Sequence, residues 1–270
     1  MIDSPKIENY IKKFPKSFVL FNILGAVCAG QDELEVAINH HKKSVEINPD
    51  YAEGYNNLGI AFQKLGLFEE AVKNYKKTLK LKPDFSLAYN NLGVVLKSLN
   101  KLDEALLTSK KAIELDPKFA DAHNNIGAIL QDLGNYEEAY KFYKKAIELR
   151  SNYSEAYYNL GILLKKLGKI EECVENFRKA IKINQKNSRA YSNYLFNLNY
   201  LTKYDDNYYI EEAKKFRFSL KKIDDQLCIP YKYNVNPKKL TVGFVSADLR
   251  NHPVGYYLID TLKYLKKKNI

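Results

Sequence analysis

A five-residue motif returns at a fixed interval along this chain, and that interval constrains the fold more than any other feature. Tyr55-Asn56-Asn57-Leu58-Gly59 comes back as Tyr89-Asn90-Asn91-Leu92-Gly93, as His123-Asn124-Asn125-Ile126-Gly127 and as Tyr157-Tyr158-Asn159-Leu160-Gly161, with a weaker first copy ending at Gly25. Each glycine lies 34 residues after the one before it. A strict period of this length describes stacked supersecondary units. No unit can bury its apolar stripe alone, so each must bury it against its neighbours.

Leu-Gly early in the unit, Ala in the middle and Pro late form the tetratricopeptide (TPR) pattern, and this part of the chain resembles TPR proteins. The resemblance implies a mainly α fold, a right-handed TPR superhelix whose first helices line the hollow face. Full units run 18–51, 52–85, 86–119, 120–153 and 154–187. Residues 1–17 read as an N-terminal half-repeat. Pro15 lies one period before Pro49, so this segment is either a short cap or the visible end of a longer array. In the second unit Tyr55, Leu58, Phe62 and Leu65 fall at helical spacing and define a buried stripe. Gly59 is placed to let the two helices of the unit approach, and Gly66 to end the first in left-handed geometry. Ala71 supplies the small contact of the second helix, followed by Tyr75 and Leu79. Pro83 ends that helix, as do Pro49 and Pro117; Ser151 and Gln185 stand in the same place and should soften their junctions slightly.

The formal net charge of +11 raises the question of a nucleic-acid partner. The basic residues are overwhelmingly Lys, whereas base-edge readout leans on Arg forks, and Arg occurs only at 150, 178, 189, 217 and 250. Lys76-Lys77, Lys110-Lys111 and Lys144-Lys145 recur at one repeat position, as a solvated helix face would. No nucleic-acid partner is expected. Cys28, Cys173 and Cys228 form no CxxC pair, which argues against a disulfide framework or a zinc site and for a reducing, cytoplasmic setting. No apolar run is long enough to span a bilayer, and no membrane partner is expected.

Most conspicuous polar residues of the repeats are accounted for by packing. His123 stands in the Tyr55/Tyr89/Tyr157 column, Cys173 in the Ala71/Ala105/Ala139 column, and Cys28 where the next unit has Phe62. His40-His41 lacks a third ligand, and no metal site is expected. One column resists this account. Asn57, Asn91, Asn125, Asn159 and Asn193 hold the same place in successive first helices, although Asn is a mediocre helix former. An amide offers a donor and an acceptor side by side and can clasp the main chain of an extended peptide whatever its side chains. The plainer alternative is that the five amides solvate the hollow face.

At Ser188 the period persists for one helix and then fails. Tyr191 and Asn193 are in register, but Leu195 stands where Gly belongs, so a partner helix cannot pack closely in the usual way. Residues 188–228 read as capping and linker helices, the helices themselves being longer and non-repeating at 190–202 and 209–222. Residues 229–239 then read as a loop with two prolines. Beyond it Leu240–Ser246 is a nearly continuous apolar run, as in a strand buried on both faces, and a helix pattern follows with Leu258, Leu262 and Leu265. Between them lie Asp248, Arg250 and His252-Pro253. The start of a helix disfavours imidazolium, so His252 should be neutral and able to accept a proton, with Asp248 and Arg250 as second-tier loop residues positioning ring or substrate. The alternative is a loop histidine bonding the backbone.

Val242-Gly243-Phe244-Val245-Ser246-Ala247-Asp248-Leu249-Arg250-Asn251-His252-Pro253-Val254-Gly255-Tyr256, preceded by Ser192–Phe196 and the repeats, resembles the O-linked N-acetylglucosamine transferase family, which includes the Spindly-type O-fucosyltransferases. That resemblance implies a protein glycosyltransferase. Its asparagine column, here Asn57, Asn91, Asn125, Asn159 and Asn193, holds the acceptor polypeptide, and a two-lobed GT-B (Rossmann-like) domain transfers sugar from UDP-GlcNAc or a related donor to Ser or Thr. His252 matches the family's active-site histidine, a candidate base. Residues 240–270 would then be the first strand and helix of that domain. No cofactor is expected within the chain itself. Because Ile270 follows a single strand and helix, residues 238–270 are expected to be poorly ordered and the chain alone inactive. The rival expectation is a non-catalytic TPR adaptor that binds extended peptides and assembles partner proteins. Dimerisation through the convex face is left open.

Overall fold

The computed structural model describes residues 10–201 and 204–221, and within them every regular element is a helix. The chain divides into two units, Met1–Asp224 and Asp225–Ile270, and all the helices described here belong to the first. The strand expected at 240–246, the loop carrying Asp248, Arg250 and His252, and the following helix lie outside the described residues.

Five helix pairs follow one another: α1 (Phe18–Gly30) with α2 (Leu34–Ile47), α3 (Ala52–Lys64) with α4 (Phe68–Leu81), α5 (Ser86–Ser98) with α6 (Leu102–Leu115), α7 (Ala120–Asp132) with α8 (Tyr136–Leu149), and α9 (Ser154–Lys166) with α10 (Ile170–Ile183). Each first helix packs on its own second helix and touches the first helices before and after it, so the odd-numbered helices form one continuous layer. The second helices after the first unit begin on paired carboxylates, Glu69/Glu70, Asp103/Glu104, Glu137/Glu138 and Glu171/Glu172, which complement the positive end of the helix. The turn inside each pair uses left-handed backbone, taken by Gly66, Gly134 and Gly168 and, at higher intrinsic cost, by Asp32 and Asn100.

The core confirms the column logic and corrects it in detail. Ala37, Ala71, Ala105, Ala139 and Cys173 form one buried column, as the sequence implies. The glycine column, however, does not bring two backbones together where a ring faces it, in every unit but the third. It receives a ring: a Cβ on Gly59 would stand 2.7 Å from the Tyr75 ring, one on Gly127 2.8 Å from Tyr143, and one on Gly161 2.7 Å from Phe177. His41 fills the same place over Gly25, while in the third unit Ser109 and the Ala105 carbonyl face Gly93. Each buried ring contributes roughly 1.5–3 kcal/mol of hydrophobic stabilisation. Leu65, read as part of the stripe, is the last residue before the Gly66 turn and stays 39% exposed; Leu79 is half-buried, and Thr78 is the residue enclosed there, its hydroxyl donating to the Ala52 and Asn74 carbonyls. α8 and α10, which lack the late proline, stop at the same repeat position as α4 and α6. The helix stop therefore does not depend on proline.

The helices after the last unit differ from the expected longer pair. α11 (Ser188–Leu198) has 11 residues and is shorter than the first helices; α12 (Asp206–Lys221) has 16. Asn187 caps α11 through its side chain, an oxygen accepting from the Ala190 amide. Leu195, buried where glycine would sit, leaves no recess for a ring, and α12 touches α11 sparsely. α12 lays Tyr208, Tyr209, Ala213 and Phe216 against the apolar core, and a polar tie adds to this: the Arg178 guanidinium on α10 donates to the hydroxyls of Tyr194, Tyr204 and Tyr208 at 3.3, 3.4 and 3.1 Å. Tyr191 and Phe216 add a stacked ring pair at 5.1 Å.

Candidate functional site

The asparagine column lies along the first-helix layer. Asn57 on α3, Asn91 on α5, Asn125 on α7, Asn159 on α9 and Asn193 on α11 are all half-buried. Each is one residue before the buried Leu/Ile/Tyr of its helix, which turns its side chain toward the preceding helix of the layer.

There the structure shows a second column that the spacing argument missed. Asn22, Asn56, Asn90 and Asn124 are buried, and their side-chain oxygens accept from the amides of the next unit: Asn57 Nδ2 to Asn22 Oδ1 at 3.0 Å, Asn91 to Asn56 at 3.4 Å, Asn125 to Asn90 at 2.8 Å and Asn159 to Asn124 at 3.1 Å. The Asn-Asn doublets at 56–57, 90–91 and 124–125 were the available signal. The ladder changes at its end. Tyr158 replaces asparagine, and Asn193 reaches only its hydroxyl, at 3.5 Å, while donating also to the Arg189 carbonyl of its own helix.

One half of each amide is therefore anchored and the other is not. Among the described residues no donor reaches the Oδ1 of Asn57, Asn91, Asn125 or Asn159, and none of these oxygens is sealed inside the protein. The row offers acceptors, and one remaining N–H each, at the spacing of packed helices. The buried column is supported in turn at its start. Asn22 Oδ1 also accepts from His41 Nδ1 at 3.0 Å, and Asn22 Nδ2 donates to the Tyr51 hydroxyl at 3.1 Å. Burial, helped by the neighbouring His40 charge, lowers the His41 pKa to about 4, so the ring is neutral and suited to that bond.

Charges flank the row. Lys82 pairs with Glu53 at 2.9 Å, and Arg150 grips Asp121 with two bonds of 3.0 and 2.7 Å, tying the end of a second helix to the start of its first. Burial alone would raise the Asp121 carboxyl, but the bonds from Arg150 and Tyr153 bring it below the usual carboxylate range. Lys97 meets Asp132 of the next first helix at 2.9 Å. A cleft of about 480 Å³ opens beside Tyr153, Glu155, Tyr158, Asn184 and Arg189 at the far end of the row.

The other singled-out side chains are structural. His123 is buried, its ring 5.8 Å from that of Phe142, and Nε2 donates to the Pro117 carbonyl at 3.0 Å. Cys28 and Cys173 are buried free thiols, both raised by burial, Cys173 to about 11, which keeps them unreactive. Among the described residues no three His, Cys, Asp or Glu side chains gather as a metal site would require. His252, Asp248 and Arg250 lie outside the described residues.

A stack of helix pairs at a 34-residue period, with a polar row along its first-helix layer, defines a helical-repeat solenoid. Tetratricopeptide-repeat models match residues 25–66, 52–85, 74–106, 95–134 and 119–191. The protein is a tetratricopeptide-repeat protein over this region. A comparison with curated sequences gives no match. Among solved structures it is similar to MamA, with 25% identity over 61% of this chain and 96% of that one at a TM-score of 0.52. YrrB, described as a TPR protein with an unusual peptide-binding site, is 23% identical over 68% of this chain and 95% of its own, TM-score 0.51. PilF of Pseudomonas aeruginosa shares the fold at 19% identity over 77% and 91%, TM-score 0.63. Among the described residues, no helix is long and apolar enough to cross a membrane.

Proposed function

We propose that the first-helix layer binds extended polypeptide segments of partner proteins and that the chain works as an adaptor. The observation that carries this reading is the row of four amides, each fixed through Nδ2 by the unit before it and each left with an acceptor to offer. A side chain already held in place loses little freedom when a peptide arrives, and main-chain recognition through amides is independent of peptide sequence. The description of YrrB as peptide-binding is in keeping with this use of the fold. The test is peptide affinity after Asn91→Ala plus Asn125→Ala. Affinity should fall with helix content retained; a folded variant with unchanged affinity refutes the reading.

A second reading rests on the sequence at 242–256, which resembles O-linked N-acetylglucosamine transferases. In it the same face is the acceptor-holding arm of a protein O-glycosyltransferase. UDP-GlcNAc would be the donor, and His252 would take the proton of the attacking Ser or Thr hydroxyl. Its test is sugar transfer to bound peptides by the complete gene product, abolished by His252→Ala. Peptide binding without transfer leaves the adaptor alone.

A further inference from the structure

Three residues after each amide, one turn along the same helix face, stands an apolar residue: Ile60, Val94, Ala128, Ile162 and finally Phe196. None of them is buried, so an apolar shelf runs parallel to the amide row. The shelf is widest at its C-terminal end. Phe196 is 52% exposed and Tyr200 61%, their rings set edge-to-face at 5.7 Å. Lys165 holds its ammonium 4.8 Å from the centre of the Phe196 ring.

Charge compensation also changes at this end. Earlier along the face Lys82, Lys97 and Arg150 each meet a carboxylate. Among the described residues Lys165, Lys166 and Arg189 meet none; Lys165 and Arg189 lie instead against the rings of Phe196 and Tyr158, and Lys166 turns to Tyr136 of the preceding unit. Two exposed aromatic rings leave apolar surface in water, and with an ammonium that no carboxylate pairs beside them they are complementary to a segment that is apolar and acidic.

We propose that Phe196, Tyr200 and Lys165 form a specificity subsite for an extended segment of a partner protein that carries a large apolar side chain flanked by Asp or Glu. The inference rests on the peptide-binding reading of the amide row and adds to it which peptides are preferred. The repeat geometry fixes a register as well. Packed helices stand about 8–10 Å apart, and an extended or polyproline-II chain advances about 3.1–3.4 Å per residue. About three peptide residues then span one unit. A side chain seated on Phe196 places a residue three positions away over Ile162, and a carboxylate next to it within reach of Lys165.

The test uses the whole 270-residue chain and fluorescein-labelled Gly/Ser peptides of about twelve residues, enough to cross four units. One peptide is otherwise bare, one carries Phe flanked by two Glu, and one Phe flanked by two Lys. Anisotropy titration should show the Phe/Glu peptide binding about tenfold more tightly than the bare one, with the Phe/Lys peptide gaining nothing. Lys165→Glu should reverse the order of the two Phe peptides. Phe196→Ala, at an exposed site, should remove the advantage with thermal stability unchanged. Equal affinity of all three peptides, or an order that survives charge reversal, overturns the subsite. If affinity falls with Asn91→Ala plus Asn125→Ala but ignores peptide composition, the subsite alone is lost. If the asparagine variant binds every peptide as before, the amide-row reading is lost too. Tighter capture of oligouridine than of any peptide overturns the choice of a polypeptide partner.

Discussion

The rung between Asn125 and Asn90 permits a test of whether the amide row is also part of what holds the stack together. Its bond is the shortest of the ladder, 2.8 Å, between a half-buried donor and a buried acceptor. Asn125→Ala leaves the Asn90 oxygen enclosed without this donor, a penalty of about 1–3 kcal/mol, offset by about 0.5 kcal/mol of improved helix propensity. The expected net loss is about 1–2 kcal/mol, or a fall of roughly 3–6 °C in Tm for a chain of this size. Asn90→Ala should be milder, at about 0–1 kcal/mol, because the Asn125 amide is only half-buried and water can serve it. Once one partner is gone, removing the other costs little. The double variant should therefore be less damaged than the two single losses combined, with a coupling of about 1 kcal/mol. Urea unfolding of the four proteins, followed by far-UV circular dichroism, measures all three quantities. Losses that add to within about 0.3 kcal/mol would refute a working rung.

Gly59→Ala should destabilise by about 1–3 kcal/mol relative to Gly30→Ala, since the new methyl meets the immobile Tyr75 ring while nothing stands within 4 Å of a Cβ at Gly30; equal effects in thermal melts would remove the ring-in-recess account. Ser151→Pro should raise stability by about 0.4–1 kcal/mol, because Arg150 at φ −141° and ψ 95° already has the backbone that a following proline demands; a lower melting point would show an unseen demand for that amide. Stability should also fall with acid at His41. Its folded pKa, about 4, lies below the ordinary value of 6.5, so the unfolded chain takes up the proton first and stability drops as pH falls from about 6.5 toward 4. Between pH 7 and pH 5 the loss is about 2 kcal/mol, and His41→Phe should remove that increment; the same slope in the variant would place the titration elsewhere.

The period carried most of the fold. Helix pairs, left-handed turns and the Ala/Cys column follow from residues recurring in register, since every copy reports on the same contact. What a single period could not carry was the identity of the contact partner. Gly59 is small in either picture, and only the fold shows that Tyr75 needs the space. The buried asparagines were hidden for a related reason. Asn56 and Asn57 are adjacent in sequence, yet Asn57 bonds to Asn22 of the preceding unit while Asn56 receives Asn91 of the following one. Spacing within one helix cannot express a relation between units. The end of the array was legible as an interruption at Leu195, but the Arg178 cluster that replaces a regular partner helix has no counterpart in the repeat and therefore no pattern to read.

The two asparagine columns also separate touching a ligand from positioning what touches it. Asn90 is buried and on this geometry never meets a peptide, yet it fixes the rotamer of Asn125. Freeing that side chain means that binding must immobilise it again, at about 0.5–1.5 kcal/mol, so Asn90→Ala should weaken peptide affinity about three- to tenfold although no ligand contact is removed. A merely structural role predicts that affinity tracks stability. A positioning role predicts that it tracks the acceptor. Asn90→Asp distinguishes them: it disturbs the buried site at least as much, but retains an oxygen for Asn125 Nδ2. Affinity should recover in Asn90→Asp even where stability does not. If the Asp and Ala variants bind equally weakly, the buried column only holds the stack, and the orientation of the outer amides must come from their own helices.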